Sequence, residues 1–148
     1  MTDSIGATPK AIQRAEVMSA LRTASAKTGV GFDYLVKTAQ RESNFDPSAK
    51  AGTSSATGLF QFTDATWLNM LDRYGDKHGV ATDGQSRADL LALRKDASLS
   101  SVMAGELAAE NGKILQKKLG RPATSAELYT AHFMGPSDGA TVSGKVKA

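Results

Sequence analysis

Cysteine is absent from this chain of 148 residues, so neither a disulfide framework nor a thiolate metal site can form. Histidine is scarce. His78 and His132 lie far apart and make no His-x-x-x-His pair, so no zinc centre, no other metal and no cofactor is expected. No apolar run approaches the roughly twenty residues that a membrane-spanning helix needs. The opening residues, Met1 to Pro9, lack the basic start and apolar core of a secretory signal. Basic residues outnumber acidic ones by 18 to 15, yet they never run together. The net charge of +3 therefore reads first as ordinary solubility and second as an affinity for an anionic polymer. Without a basic stripe or a recognised motif, a nucleic-acid partner is not expected. Alternating β patterns longer than a few residues are missing too, which leaves an all-α domain with at most a short hairpin within 48–63.

What is present is helical periodicity between clear punctuation. Residues 1–8 read as a disordered lead-in, 9–136 as one domain and 137–148 as a flexible tail, linker or cut site. Pro9 opens a helix to about Lys27, with Val17, Ala20, Leu21 and Ala24 as its stripe. Asp33 reads as the N-cap of the next helix, which Pro47 ends. Thr63 or Asp64 caps a helix carrying Trp67, Leu68, Leu71 and Tyr74, with Trp67 anchoring the core. Ser86 starts a short helix through Arg94, and a long one covers Asp96 to Leu119, weakened slightly by Gly105 and Gly112. Gly120-Arg121-Pro122 stops it. Thr124 and Glu127 then have capping-box spacing before a last helix through Phe133.

One carboxylate stands out against this pattern. Glu42 follows Leu35 by seven residues and Ala39 by three, so helical spacing puts it on the apolar face. Burial there, and its place in the last turn where the helix dipole opposes negative charge, both favour the proton-donating form. A general acid needs that form. Taken alone, Glu42 would read as an exposed residue at a helix end.

Its flanks change that reading. Gln40-Arg41-Glu42-Ser43-Asn44-Phe45-Asp46-Pro47 is followed by Ala49, by Ser55-Ala56, by Gly58-Leu59-Phe60-Gln61-Phe62 and by Thr66-Trp67. This ordered set resembles the catalytic domain of the soluble lytic transglycosylases, goose-lysozyme-like enzymes that cleave peptidoglycan. The resemblance thins over 75–120 and returns loosely at Tyr129-Thr130-Ala131-His132-Phe133-Met134-Gly135-Pro136, where the family usually reads Ala-Tyr-Asn-Ala-Gly. His132 and Phe133 replace that Tyr and Asn, and Tyr129, about one helical turn earlier, is a candidate to supply the hydroxyl that steadies the acid.

The resemblance implies a lysozyme-like fold and Glu42 as acid and then base. It would cut between N-acetylmuramic acid and N-acetylglucosamine with closure of a 1,6-anhydro ring. It also implies that Ser43 and Gln61 bond the sugar, that the Gly58-Leu59-Phe60 backbone lines the cleft, and that Tyr129, His132 and Phe133 complete it. Peptidoglycan strands are the implied partner and the periplasm or cell envelope the implied location. The route there would be a longer parent chain, a secretion or flagellar apparatus, or a phage particle.

Blander roles compete at several positions. Phe60, Phe62 and Phe133 read as core before sugar-stacking residues. Asp46 reads as a turn former, His78 as a solvated loop residue, and Glu106 and Glu110 as a solvated or cleft-edge face. His132 fits an acid–base partner, a sugar donor or a packed histidine equally well. Two other functions stay open, a non-catalytic wall-binding or assembly module and a hydrolytic muramidase on the same scaffold.

Overall fold

The computed structural model describes residues 8–135, so the expected tail and all of the expected lead-in but Thr8 lie outside the described residues. Thr8 belongs to the fold. Its Oγ1 accepts from the Ala11 N–H at 3.0 Å, and Pro9 follows as the first residue of helix α1 (Pro9–Thr28). The stripe Val17, Ala20, Leu21 and Ala24 is buried, as periodicity predicts.

Helix α2 (Phe32–Ser43) starts at Gly31, which has no side chain to cap with. Asp33 is therefore not the N-cap. It lies in the first turn, where its charge complements the helix dipole. Helix α3 (Asp64–Tyr74) buries Trp67, Met70 and Leu71, and the Trp67 indole donates to the Leu90 carbonyl at 2.8 Å. A single 3₁₀ turn, Asp76–His78, follows it. The predicted helix through Arg94 is split into α4 (Arg87–Ala92), capped by Ser86, and a 3₁₀ turn at Leu93–Lys95. Helix α5 (Ala97–Leu119) is capped by Asp96, and α6 (Ser125–Met134) carries the full Thr124–Glu127 capping box. The hairpin expected in 48–63 reduces to two isolated bridges, Lys50 to Thr57 and Thr57 to Phe62. The described residues form an all-α fold.

Helix α5 is the centre of the packing. Ser100 to Glu106 form an unbroken buried run, so every face of the helix meets protein there. Gly105 is there because α1 comes close: a Cβ at that position would sit 2.5 Å from Thr28 Oγ1. Its cost in helix propensity is thus offset by a closer approach of α1 to α5.

The same enclosure overturns the solvated reading of Glu106. Glu106 is 6 % exposed and accepts from Lys77 and His78, each at 2.7 Å. Glu110 accepts from the Tyr74 hydroxyl at 2.6 Å and pairs with Arg73. His78, expected in solvent, has its ring buried against Glu106. These contacts tie α3 and the turn after it onto α5.

Candidate active site

The end of α2 places Glu42 beside α6. Tyr34, Leu35, Thr38 and Ala39 bury the inner face of α2, and Glu42 follows half-buried at the rim of that face. The helix stops at Asn44, whose left-handed backbone (φ 51°) lets its N–H close on the Ala39 and Gln40 carbonyls. Asp46 then accepts from the Ser48 N–H at 2.9 Å, a turn former as its place before Pro47 suggests.

Glu42 Oε2 accepts a hydrogen bond from the Tyr129 hydroxyl at 2.8 Å. The tyrosine in turn lies under the Arg41 guanidinium, 4.9 Å from the ring centroid. Burial, and then the hydrogen bond to and charge of Glu42, raise the Tyr129 pKa above its ordinary value, so the phenol keeps its proton and remains the donor. No described residue hydrogen-bonds Glu42 Oε1.

Glu42 faces a cleft of about 420 Å³ whose lining also includes Ala56, Gln61, Leu107, His132 and Phe133, and Tyr129 holds it from outside that lining. Glu42 is the sole carboxylate in that lining among the described residues. Phe133 is 72 % exposed, which corrects its assignment to the core, whereas Phe60 and Phe62 are buried as core residues.

Residues 57–62 form a tight turn in which the carbonyls of Gly58, Leu59, Phe60 and Phe62 are each held. The Gly58 carbonyl accepts from Gln61, through its backbone N–H at 3.2 Å and its side-chain amide at 2.9 Å. Ser43 Oγ lies 2.8 Å from the Leu59 carbonyl and 3.0 Å from that of Ala39, so its one proton serves backbone. His132 Nε2 donates to the Phe60 carbonyl at 2.9 Å. Arg94 Nη1 donates to the carbonyls of Ser55 (2.7 Å) and Phe62 (2.9 Å) and pairs with Asp64 at 2.9 Å. Buried carbonyls need such partners. The Ser, Gln and His of the three motifs thus meet at one strip of backbone.

Two consequences follow for the residues named from sequence. Leu59 and Phe60 are fully buried, and neither they nor Gly58 line the cleft, which they support from behind. Gly58 is required by its own backbone (φ 90°) and because a Cβ there would collide with the Arg94 carbonyl, a constraint from packing and not from the approach of a sugar. Gln61 also gives its second amide contact to the Ala49 carbonyl at 3.1 Å, which leaves Oε1 as its polar atom for a ligand.

His132 is a packed histidine. Its ring meets Phe60 and Phe62 edge-on, at 6.2 and 5.8 Å between centroids. Burial lowers its pKa, more than the hydrogen bond to Phe60 and the charge of Glu42 raise it, so the imidazole is neutral near pH 7. A carbonyl can only accept, so the proton is on Nε2 and Nδ1 is left as an acceptor. Arg94 was missed by sequence reasoning. A lone arginine after a six-residue helix has no local pattern, and only its burial reveals it.

The transglycosylase SLT domain family model matches residues 19–88, the stretch that holds Glu42, Ser43, Gln61 and the turn between them. With six α-helices and no named strand among the described residues, the match bears out the resemblance over the motifs from Gln40 to Trp67. Residues 19–88 thus match a transglycosylase SLT domain, consistent with a lysozyme-like domain of that kind.

Proposed function

We propose that this protein is a peptidoglycan lytic transglycosylase in which Glu42 acts as acid and then as base. The observation that carries the reading is one carboxylate, held at 2.8 Å by Tyr129, in a cleft with no second acid among its described lining residues. Ordinary glycosidases need two carboxylates flanking the bond. A single-acid scheme needs one carboxyl group whose orientation persists through both steps, and the Tyr129 hydroxyl supplies that.

The protonated carboxyl of Glu42 donates to the glycosidic oxygen between N-acetylmuramic acid and N-acetylglucosamine, and the C1–O bond breaks. The resulting carboxylate removes the proton from the muramyl C6 hydroxyl. That oxygen bonds to C1, closes the 1,6-anhydro ring, and Glu42 is again protonated. Tyr129 holds Oε2 and so aims Oε1 at the reacting oxygens. The Gln61 Oε1 and His132 Nδ1 acceptors suit N–H and O–H groups of the sugars, and exposed Phe133 offers an apolar face to a pyranose ring. Work on this polymer would put the protein in the periplasm or cell envelope.

The test is digestion of purified peptidoglycan by the protein and by Glu42→Gln, with released muropeptides read by mass spectrometry. Anhydro-muropeptides from the unsubstituted protein alone are expected. Reducing-end products would reassign the enzyme to the muramidases. No release from any wall preparation would leave a non-catalytic wall-binding module.

A further inference from the structure

We propose that the protein has a second binding site, for the charged peptide stems of the glycan, on the far side of the Glu42–Ser43 step. The inference rests on the glycan-cleaving reading above. A cavity of about 460 Å³, comparable with the cleft of Glu42, lies between the first turns of α1 and the end of α2. Its lining includes Lys10, Gln13, Arg14, Asn44 and Asp46, together with Ser43. Glu42 lines one cavity and the next residue of α2, Ser43, lines the other.

The charges of this second cavity are unused. No described residue forms an ion pair with Lys10, Arg14 or Asp46. The Arg14 guanidinium lies over the Phe45 ring, 4.4 Å from its centroid, which fixes it in place without neutralising it. Asp46 uses one oxygen for the Ser48 N–H. The cavity thus offers two cations, one anion and the amides of Gln13 and Asn44. That set is poorly matched to a neutral sugar and well matched to a short peptide with several carboxylates and one free amine. Muramyl residues carry such stems through their lactyl groups. A strand lying across Glu42 would have a stem within reach of the neighbouring cavity. Lys10 and Arg14 would take its carboxylates, and Asp46 its amine.

The test compares soluble glycan strands with stems against the same strands stripped by an amidase, using the full chain and its Lys10→Ala/Arg14→Met variant. Methionine keeps an unbranched cover over Phe45 and removes the charge. With stems present, KM is expected to rise about tenfold at unchanged kcat, the size of effect two exposed charge contacts give. On stripped strands the two proteins should agree. Equal behaviour on both substrates, whether equally weakened or equally unaffected, would overturn the proposal. If the unsubstituted protein cuts neither substrate, the proposed activity has failed, and a second measurement decides the site. In an NMR titration with a synthetic acidic tetrapeptide stem bearing one side-chain amine, shifts should gather at Lys10, Asn44 and Asp46 and vanish in the variant. No shifts there would remove the site.

Discussion

Glu106 and Glu42 are each held by hydrogen bonds, and their surroundings differ. Glu106 is in mid-helix, 6 % exposed, with Lys77 and His78 each at 2.7 Å. Burial by itself would raise its pKa, but the hydrogen bonds and charges of Lys77 and His78 together outweigh burial and hold it below the usual glutamate value. Glu42 is at a helix end, half-buried, beside a cleft, and its partner is the uncharged hydroxyl of Tyr129. A carboxylate with two basic partners is fixed in one protonation state and joins helices. A carboxylate with a neutral donor is oriented without a counter-charge, which is what a group that must both give and take a proton needs.

Exchanging the substitutions tests that contrast most severely. Glu42→Gln should lower glycan cleavage about a thousandfold, the scale of general acid–base catalysis, and move folding stability by less than about 1 kcal/mol. Muropeptide release and thermal unfolding read the two effects. Glu106→Ala should do the reverse. Removing one member of a buried ionic cluster destabilises by about 3 kcal/mol, while kcat per folded molecule stays within about twofold. If Glu106→Ala abolished cleavage in a protein that still folds, the division of labour between the two acids would be wrong.

Tyr129→Phe makes a finer cut. It removes the hydrogen bond that Tyr129 gives to Glu42 and keeps the ring under Arg41. The expected result is a fall in kcat of about tenfold with KM unchanged, because the lost contact orients the acid and does not bind the sugar. A rise in KM at constant kcat would make Tyr129 a substrate contact instead.

How much of this could be read beforehand differs between the two acids for a physical reason. Glu42 stood out as a candidate because the pattern of its flanks is local: a helix ended by Asn44 and Pro47, a glycine turn, and a glutamine at fixed spacing. Tyr129 was legible as an alternative hydroxyl through helical geometry, one turn before the replaced residues. Helix starts at Ser86 and Thr124 were read from side chains that do bond the following turn. Asp33 looked the same and was not a cap, because Gly31 already held that position. Glu106 and His78 were misread because α5 is enclosed on all sides, a fact of tertiary packing that leaves no trace in the charge pattern of one helix. The row of held carbonyls from Gly58 to Phe62 was equally hidden. Its donors, Ser43, Gln61, Arg94 and His132, are recruited from four separate places in the chain.

The smallest effect separates the two acids' neighbourhoods by pH. His132 has a folded pKa below its unfolded value near 6.5, so between those two values the unfolded chain binds a proton that the folded one does not. Its contribution therefore falls as pH drops below about 6.5, with a slope of at most about 1.4 kcal/mol per pH unit. Glu106 also has a lowered pKa, and it too binds its proton more readily when unfolded, so its contribution is lost only as pH falls below the ordinary glutamate value near 4.3. Acid should weaken the fold in two stages, first at the wall of the cleft and then at the core helix. Urea unfolding across pH 3 to 8 should show both. His132→Gln, which keeps an N–H for the Phe60 carbonyl, should flatten the upper stage alone, and Glu106→Gln the lower. If His132→Gln leaves the slope between pH 5 and 6.5 untouched, the imidazole is not held neutral by its burial between Phe60 and Phe62, and the acceptor assigned to its Nδ1 would be lost with it.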